Sequence, residues 1–155
     1  MTVIAVLRSV AATGLTLALA ACMMAPVKPE LTHLNEDVNS PSPVQREVRL
    51  VFFNNSSKLM YGPDNTGRIN IWLNGKAVGG PDIGEYIQVQ VPKGKHQLTL
   101  VHLDGIEFKS THELQAVESL LFVEVRATPV SNDVEVHKSL PKGNYLPQPF
   151  ARFLR

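Results

Sequence analysis

The amino-acid sequence predicts an all-β fold, an antiparallel sandwich of about seven strands over residues 47–139. Short runs in which apolar and polar residues alternate recur along this region, as they do in strands with one buried face. Corners rich in glycine, proline and asparagine separate the runs. No stretch repeats its apolar residues with the period of a helix, so two sheets packed face to face are expected.

The first predicted strands lie on either side of a loop-like stretch. Val48–Phe53 is a β-branched and aromatic run, and Arg68–Leu73 alternates so that its apolar residues share one face. Asn74-Gly75 then predicts a two-residue hairpin turn, because both residue types tolerate a positive φ. The predicted cross-strand pairs are Trp72 with Ala77 and Ile71 with Val78.

The middle of the domain predicts two further hairpins. Pro92–Lys95 joins Ile87–Val91 to a strand that starts at His96, and the alternation favours direct pairing of these two strands. At the next corner a three-residue loop, Leu103–Gly105, gives a more consistent buried face than a two-residue turn. The resulting pairs are Val91 with His96, Val89 with Leu98, Ile87 with Leu100, Leu100 with Phe108, His102 with Ile106, and His96 with His112.

Three more alternating runs complete the predicted domain. They are Ile106–Leu114, Leu120–Arg126 and Val134–Lys138, and Pro129–Asp133 turns between the last two. The expected architecture is immunoglobulin-like in general outline.

The N-terminal segment has the features of an export signal. About 12 apolar residues, Val10–Ala21, follow the basic residue Arg8, and this run is too short to span a bilayer as a helix. It ends directly before Cys22, the one cysteine of the chain. Leu19-Ala20-Ala21-Cys22 resembles the lipobox of bacterial lipoproteins. The alternatives are an ordinary secretory signal followed by a coincidental cysteine, or a buried thiol in a cytosolic protein.

The lipobox resemblance implies a membrane-anchored protein. It implies that residues 1–21 are removed and that the sulfur of Cys22 carries a diacylglycerol, and two or more acyl chains suffice for stable anchoring. In lipoproteins of this class a residue other than aspartate after the cysteine, here Met23, implies sorting to the outer membrane. The domain is then expected in the periplasm.

Residues 22–46 are predicted to be a flexible tether. Four prolines stand among polar residues without any apolar periodicity: Pro26, Pro29, Pro41 and Pro43. The formal net charge of the chain is +1, which gives no drive toward nucleic acid, so no nucleic-acid partner is expected.

Three short motifs resemble the PEGA-type domain and, more closely, a related family of bacterial lipoproteins that carry a domain of unknown function. The motifs are Ile71–Lys76, Gly84-Glu85-Tyr86 and Val91–His96, and the resemblance covers residues 47–138. All three are turn motifs. The resemblance therefore implies a fold and an envelope or surface module, and it carries over no catalytic residue.

Three histidines are the candidate metal ligands. His96, His102 and His112 share one face in the predicted register, and three imidazoles could bind zinc or copper. The sequence favours the alternative of local hydrogen bonding, because no cysteine and no close histidine spacing accompanies them. Catalytic serine motifs are absent from the sequence, and Gly79-Gly80-Pro81 precedes no helix that would bind phosphate. Neither an enzyme nor a cofactor is expected.

The C-terminal tail, residues 140–155, combines basic and aromatic residues with prolines. It is interpreted either as an extended arm that binds a partner protein or an anionic surface, or as a segment whose aromatic residues pack back across the sandwich. The candidate partner-binding residues are Lys142, Tyr145, Phe150, Arg152, Phe153 and Arg155.

Taken together, these features predict a non-enzymatic structural or protein-interaction module, anchored in the bacterial outer membrane and facing an envelope protein partner. The alternative is an envelope protein that binds a metal or a small ligand through the histidine cluster.

Overall fold

A computed structural model describes residues 24–60 and 66–149, and the predicted signal and Cys22 lie outside these ranges. The described residues form strands and one 3-10 turn, Lys58–Met60, without an α-helix. The predicted all-β class is confirmed. The strands are β1 Glu47–Asn54, β2 Ile69–Leu73, β3 Lys76–Gly79, β4 Glu85–Pro92, β5 Gly94–Asp104, β6 Ile106–Ala116, β7 Leu120–Thr128, β8 Ser131–His137 and β9 Leu146–Pro147.

The strands form two sheets. One has the order β8-β7-β1-β4-β9 and the other the order β3-β2-β5-β6. Within the first sheet β1 runs parallel to β7 and β4 runs parallel to β9. This sheet is therefore mixed, whereas a wholly antiparallel sandwich was predicted. The strands of each parallel pair are far apart in sequence, so no tight hairpin constrains their direction.

The core lies between the two sheets and consists of alternate residues of their strands. Leu50 and Phe52 of β1, Ile71 of β2, Val89 of β4 and Leu100 of β5 are all fully or almost fully buried there. Burying each such side chain stabilises the fold by about 1.5–3 kcal/mol, so these positions dominate its stability.

The β2–β3 turn confirms the predicted hairpin. Asn74 and Gly75 have φ angles of 52° and 78°, as a two-residue turn with two positive φ values requires. Trp72 lies opposite Ala77 as predicted. Ile71, however, pairs with Gly79 and not with Val78, because a bulge shifts the register between Ile71 and Trp72.

The predicted pairing of β4 with β5 is wrong. β4 pairs with β1, while β5 lies in the other sheet between β2 and β6. The corner at Lys93 and Gly94 carries the chain across the sandwich, and Gly94 has a φ of 138° that favours glycine. Val89 and Leu98 both face the core, but from opposite sheets, so their matching alternation indicated a pairing that does not exist.

The β5–β6 hairpin exists, but its predicted register is two residues off. Gly105, with a φ of 73°, lies alone at the tip between the paired residues Asp104 and Ile106, so the strands pair two residues further toward the tip than the predicted loop Leu103–Gly105 allows. Both registers leave the same residues on the inner face, so the apolar alternation does not distinguish them. The observed pairs are His96 with Leu114, Leu98 with His112, Leu100 with Ser110, and His102 with Phe108.

Residues 24–46 lie against the sandwich, whereas the sequence predicts a flexible tether. They contain no strand or helix, but Glu30 and Leu31 donate backbone N–H groups to the Ala77 carbonyl at 2.8 and 3.3 Å. Leu34 donates its N–H to the Gln88 carbonyl at 2.8 Å. The segment therefore satisfies the free backbone groups of β3 and β4, which would otherwise be open sheet edges.

A second apolar cluster covers the outer face of the five-stranded sheet. It is built on Phe53, Val51 and Phe122, which are buried on the face turned away from the main core. Val38 from the N-terminal segment and Tyr145 from the C-terminal segment pack on them. Both segments thus belong to the folded unit, and the sandwich is covered on one outer face.

Candidate functional site

The three candidate metal ligands do not form a common site. His96 is buried opposite Leu114, and both of its ring nitrogens are occupied. Its Nε2 donates to the Pro92 carbonyl at 2.8 Å, and its Nδ1 accepts from the Asn74 amide at 2.9 Å. The imidazole joins the β4–β5 corner to the β2–β3 turn, so it is not available to a metal.

His102 and His112 are also engaged locally. His102 is buried, stacks on Phe108 at a ring separation of 5.0 Å, and donates from Nδ1 to the Asn132 side chain at 2.7 Å. The Nε2 of His112 lies 2.9 Å from the hydroxyl of Ser110. The structure therefore fits the alternative of local hydrogen bonds, and the shifted β5–β6 register is the reason why His96 and His112 are not opposite each other.

A different group of possible ligands lies on the outer face of β7 and β8. Glu124, Glu135 and His137 each offer one ligand atom, and these atoms are within 4.8 Å of one another. Among the described residues no other set of histidine, aspartate and glutamate side chains meets this criterion. Glu124 and Glu135 are direct cross-strand partners, and His137 lies diagonally across from Glu124. The sequence predicts a turn between these two strands at Pro129–Asp133 but assigns them no cross-strand register, so this group was not predicted.

Both carboxylates of this group already have partners. Glu124 is only 3% exposed and accepts from His137 Nε2 at 2.8 Å and from the Asn55 amide at 3.0 Å. Arg126 contacts Glu124 at 3.2 Å and Glu135 at 3.4 Å. A metal ion would have to compete with this guanidinium for both carboxylates.

The predicted tail packs back on the sandwich as far as it is described. The ring of Tyr145 meets the Phe53 ring edge-on at 5.0 Å. Burial raises the pKa of the Tyr145 phenol, and the nearby charge of Glu124 raises it further. Lys142 is exposed, whereas Phe150, Arg152, Phe153 and Arg155 lie outside the described residues. The strand β9, which the sequence does not predict, holds the tail against β4.

The N-terminal segment is held from its first described residue. Met24 accepts a hydrogen bond through its carbonyl from the guanidinium of Arg68, which also binds Asp82 at 2.9 Å. The Asn70 side chain accepts from the Val27 N–H at 3.1 Å and donates to the Ala25 carbonyl at 2.9 Å. The first described residues of the N-terminal segment are thus bonded to residues at the start of β2. In the sequence, Met23 is the one residue between Cys22 and Met24.

One long edge strand is exposed. β6 has 11 residues and forms the edge of the four-stranded sheet opposite β3, which the N-terminal segment covers. Asn132 of β8 donates to the Phe108 carbonyl at 3.3 Å, so part of β6 is tied to the other sheet. Beyond Phe108 the edge carries alternating exposed residues and is a possible site for strand addition.

Within the described residues, no helix combines the length and the apolar character that a membrane crossing needs. Comparisons of the chain with protein-family models, with curated proteins and with solved structures gave no significant match.

Proposed function

We propose that this protein is an outer-membrane-anchored lipoprotein of the bacterial periplasm and acts as a non-enzymatic structural or protein-interaction module. The observation that carries the proposal is the sequence Leu19-Ala20-Ala21-Cys22 at the end of a short apolar run. Acylation of Cys22 would place at least two acyl chains on the mature N-terminus, which is enough for stable anchoring.

The structure supports a module that presents one edge to a partner. The N-terminal segment covers the β3 side of the sandwich, and β9 pairs with β4 on the same side. β6 lies at the other side with exposed residues such as Thr111 and Glu113. An extended segment of a partner protein could add to this edge through main-chain hydrogen bonds.

The test combines acyl labelling with cross-linking in the native envelope. A photo-reactive amino acid replaces Thr111 in the full chain, and cells are grown with an alkyne-tagged fatty acid. We expect the chain to carry the acyl tag, to sediment with outer membranes, and to give a specific protein adduct after irradiation. A matched chain carries the same photo-reactive residue at Gln97, which is exposed on the interior strand β5. This chain should give little adduct.

Cys22→Ala serves as the control for the anchor. The variant should lose the acyl tag and the outer-membrane fractionation, and the adduct at position 111 should disappear. An unlabelled wild-type chain, or a tag that persists in Cys22→Ala, would contradict the anchoring proposal. An adduct that forms equally well at positions 97 and 111 would contradict the edge-binding proposal.

A second candidate function is binding of a divalent metal in the envelope. The observation that favours it is the group Glu124, Glu135 and His137, with its two carboxylates and one imidazole. Arg126 opposes it, because its guanidinium contacts both carboxylates.

Zinc titration of the purified full chain by calorimetry tests this candidate. If the group binds metal, His137→Gln should weaken zinc binding by roughly tenfold or more, because losing a ligand should cost at least as much as losing an outer-shell partner of a ligand. Arg126→Gln should strengthen binding, because it removes the competing cation. His112→Gln is the matched control, and a loss of zinc binding in this variant alone, or no effect of His137→Gln, would reject the site.

A further inference from the structure

We propose that one end of the sandwich lies against the membrane and that three apolar loop tips at this end, Leu59, Ile106 and Val130, contact the lipid interface. The inference rests on the proposed anchoring at Cys22. It adds an orientation and a lipid-binding surface, which the anchor alone does not specify. We call this end the anchor end.

Strand pairing shows which loops share the anchor end. β1 and β7 run parallel with Asn54 beside Val125, so the turn after β7 and the loop after β1 are at the same end. In the other sheet, Ile69 at the start of β2 pairs with His102 near the end of β5, which places the β5–β6 tip beside the start of β2.

Two side-chain contacts join the ends of the two sheets. Asn54 donates from its amide to the Gly67 and Pro81 carbonyls at 2.9 and 3.0 Å, which ties the end of β1 to the start of β2. His102 binds Asn132, which ties the end of β5 to the start of β8. The β1–β2, β5–β6 and β7–β8 loops therefore lie at the same end of the sandwich.

The anchor end carries the most exposed large apolar side chains among the described residues. Leu59 is 94% exposed, Val130 80% and Ile106 65%. Leu146, 67% exposed, starts β9 beside Glu85 at this same end. The other exposed large apolar residues are about half-exposed and lie away from this end: Val44 at 46%, Val117 at 52% and Val136 at 47%. The most exposed apolar side chains are therefore gathered on the loops of one end, the arrangement that an apolar interaction surface requires.

The N-terminal segment indicates which partner covers this surface. Met24 is bonded to Arg68, the residue directly before β2, and therefore lies at the anchor end. The two peptide units between Cys22 and Met24 span at most about 7 Å. An acylated Cys22 would thus hold this end of the domain within a short distance of the lipid headgroups. The segment between Cys22 and the domain is too short to let the domain move far from the membrane.

The charges around the tips do not favour an electrostatic mode of binding. Lys58 is adjacent to Leu59, and Asp104 and Glu107 flank the β5–β6 tip, so the exposed charges are of both signs. The contact is therefore apolar, and we expect it to persist at raised salt and to be independent of anionic lipid.

Single-tryptophan reporters on the full acylated chain test the orientation. The chain has one tryptophan, Trp72, so a Trp72→Phe background allows Leu59→Trp and Val130→Trp to be read separately. Val117→Trp is the matched control at the opposite end. Each chain is reconstituted in vesicles of phosphatidylethanolamine and phosphatidylglycerol that contain a phosphatidylcholine with a doxyl quencher high on its acyl chain.

We expect the emission at positions 59 and 130 to shift to the blue and to lose about half its intensity, as aromatic residues in the headgroup region would. Emission at position 117 should change little. Equal quenching at all three positions, or unquenched tips on a chain that floats with the vesicles, would overturn the proposed orientation. A chain without acyl mass on Cys22, or one that does not float, would instead overturn the anchoring and with it the inference.

Discussion

Replacing Phe53 by alanine is expected to lower the free energy of unfolding by about 3–5 kcal/mol. Phe53 is completely buried, although it points away from the main core. Its ring packs on Tyr145 at 5.0 Å and lies 6.0 Å from the ring of His137. The truncation would leave a cavity between the sheet and the segments that cover it.

The size of this effect shows whether the two terminal segments pack on the sheet or extend freely into solvent. If residues 24–46 and 140–149 were free arms, Phe53 would be exposed and its truncation would cost less than about 0.5 kcal/mol. Urea denaturation of the Phe53→Ala chain gives the answer, with Val130→Ala as an exposed control that should be neutral. A near-neutral Phe53→Ala would mean that the second cluster does not form in solution.

The sequence contains a signal for this second cluster. Val48–Phe53 is apolar at almost every position, which is typical of a strand buried on both faces. The structure confirms that Val51 and Phe53 are as buried as Leu50 and Phe52. The identity of the covering segments could not be read from the sequence, because residues 24–46 have no apolar period and are held mainly through backbone hydrogen bonds.

The strands could be predicted better than their partners. Alternation identifies the residues that face the core, and the inner faces of Val89, Leu98 and Leu114 are as expected. It does not identify which strand lies beside which, since facing sheets in a sandwich share the same apolar pattern. The same limit explains the shifted β5–β6 register, because a shift of two residues leaves every inward residue inward.

Which side chains can form a metal site depends on the strand register, so the candidate site in the structure differs from the predicted one. The histidine site required His96 to lie opposite His112, and the observed register places Leu114 there. The group of Glu124, Glu135 and His137 required the pairing of β7 with β8, for which the turn at residues 129–133 was the available signal. Lipid attachment at Cys22 is independent of any register and stays a prediction.

Replacing Asn54 by alanine is the second change with a large expected effect, a loss of about 3 kcal/mol in the free energy of unfolding. Asn54 is completely buried at the end of β1. Its amide donates to the Gly67 and Pro81 carbonyls, and its oxygen accepts from the Ser56 N–H at 3.0 Å and the Ser56 hydroxyl at 2.6 Å. Alanine would leave these buried groups without partners.

Asn55→Ala is the matched control, since Asn55 is exposed and its side chain makes one hydrogen bond, to Glu124. This substitution should lower the free energy of unfolding by about 1 kcal/mol or less, the usual net contribution of a single hydrogen bond.

In Asn54→Ala, amide exchange should also rise at Ser56 and at Ala127, whose N–H donates to the Ser56 hydroxyl at 2.8 Å. If Asn54→Ala and Asn55→Ala unfold at the same urea concentration, Asn54 does not connect the loops of the anchor end. The shared direction of those loops would then depend on strand pairing and on the contact between His102 and Asn132.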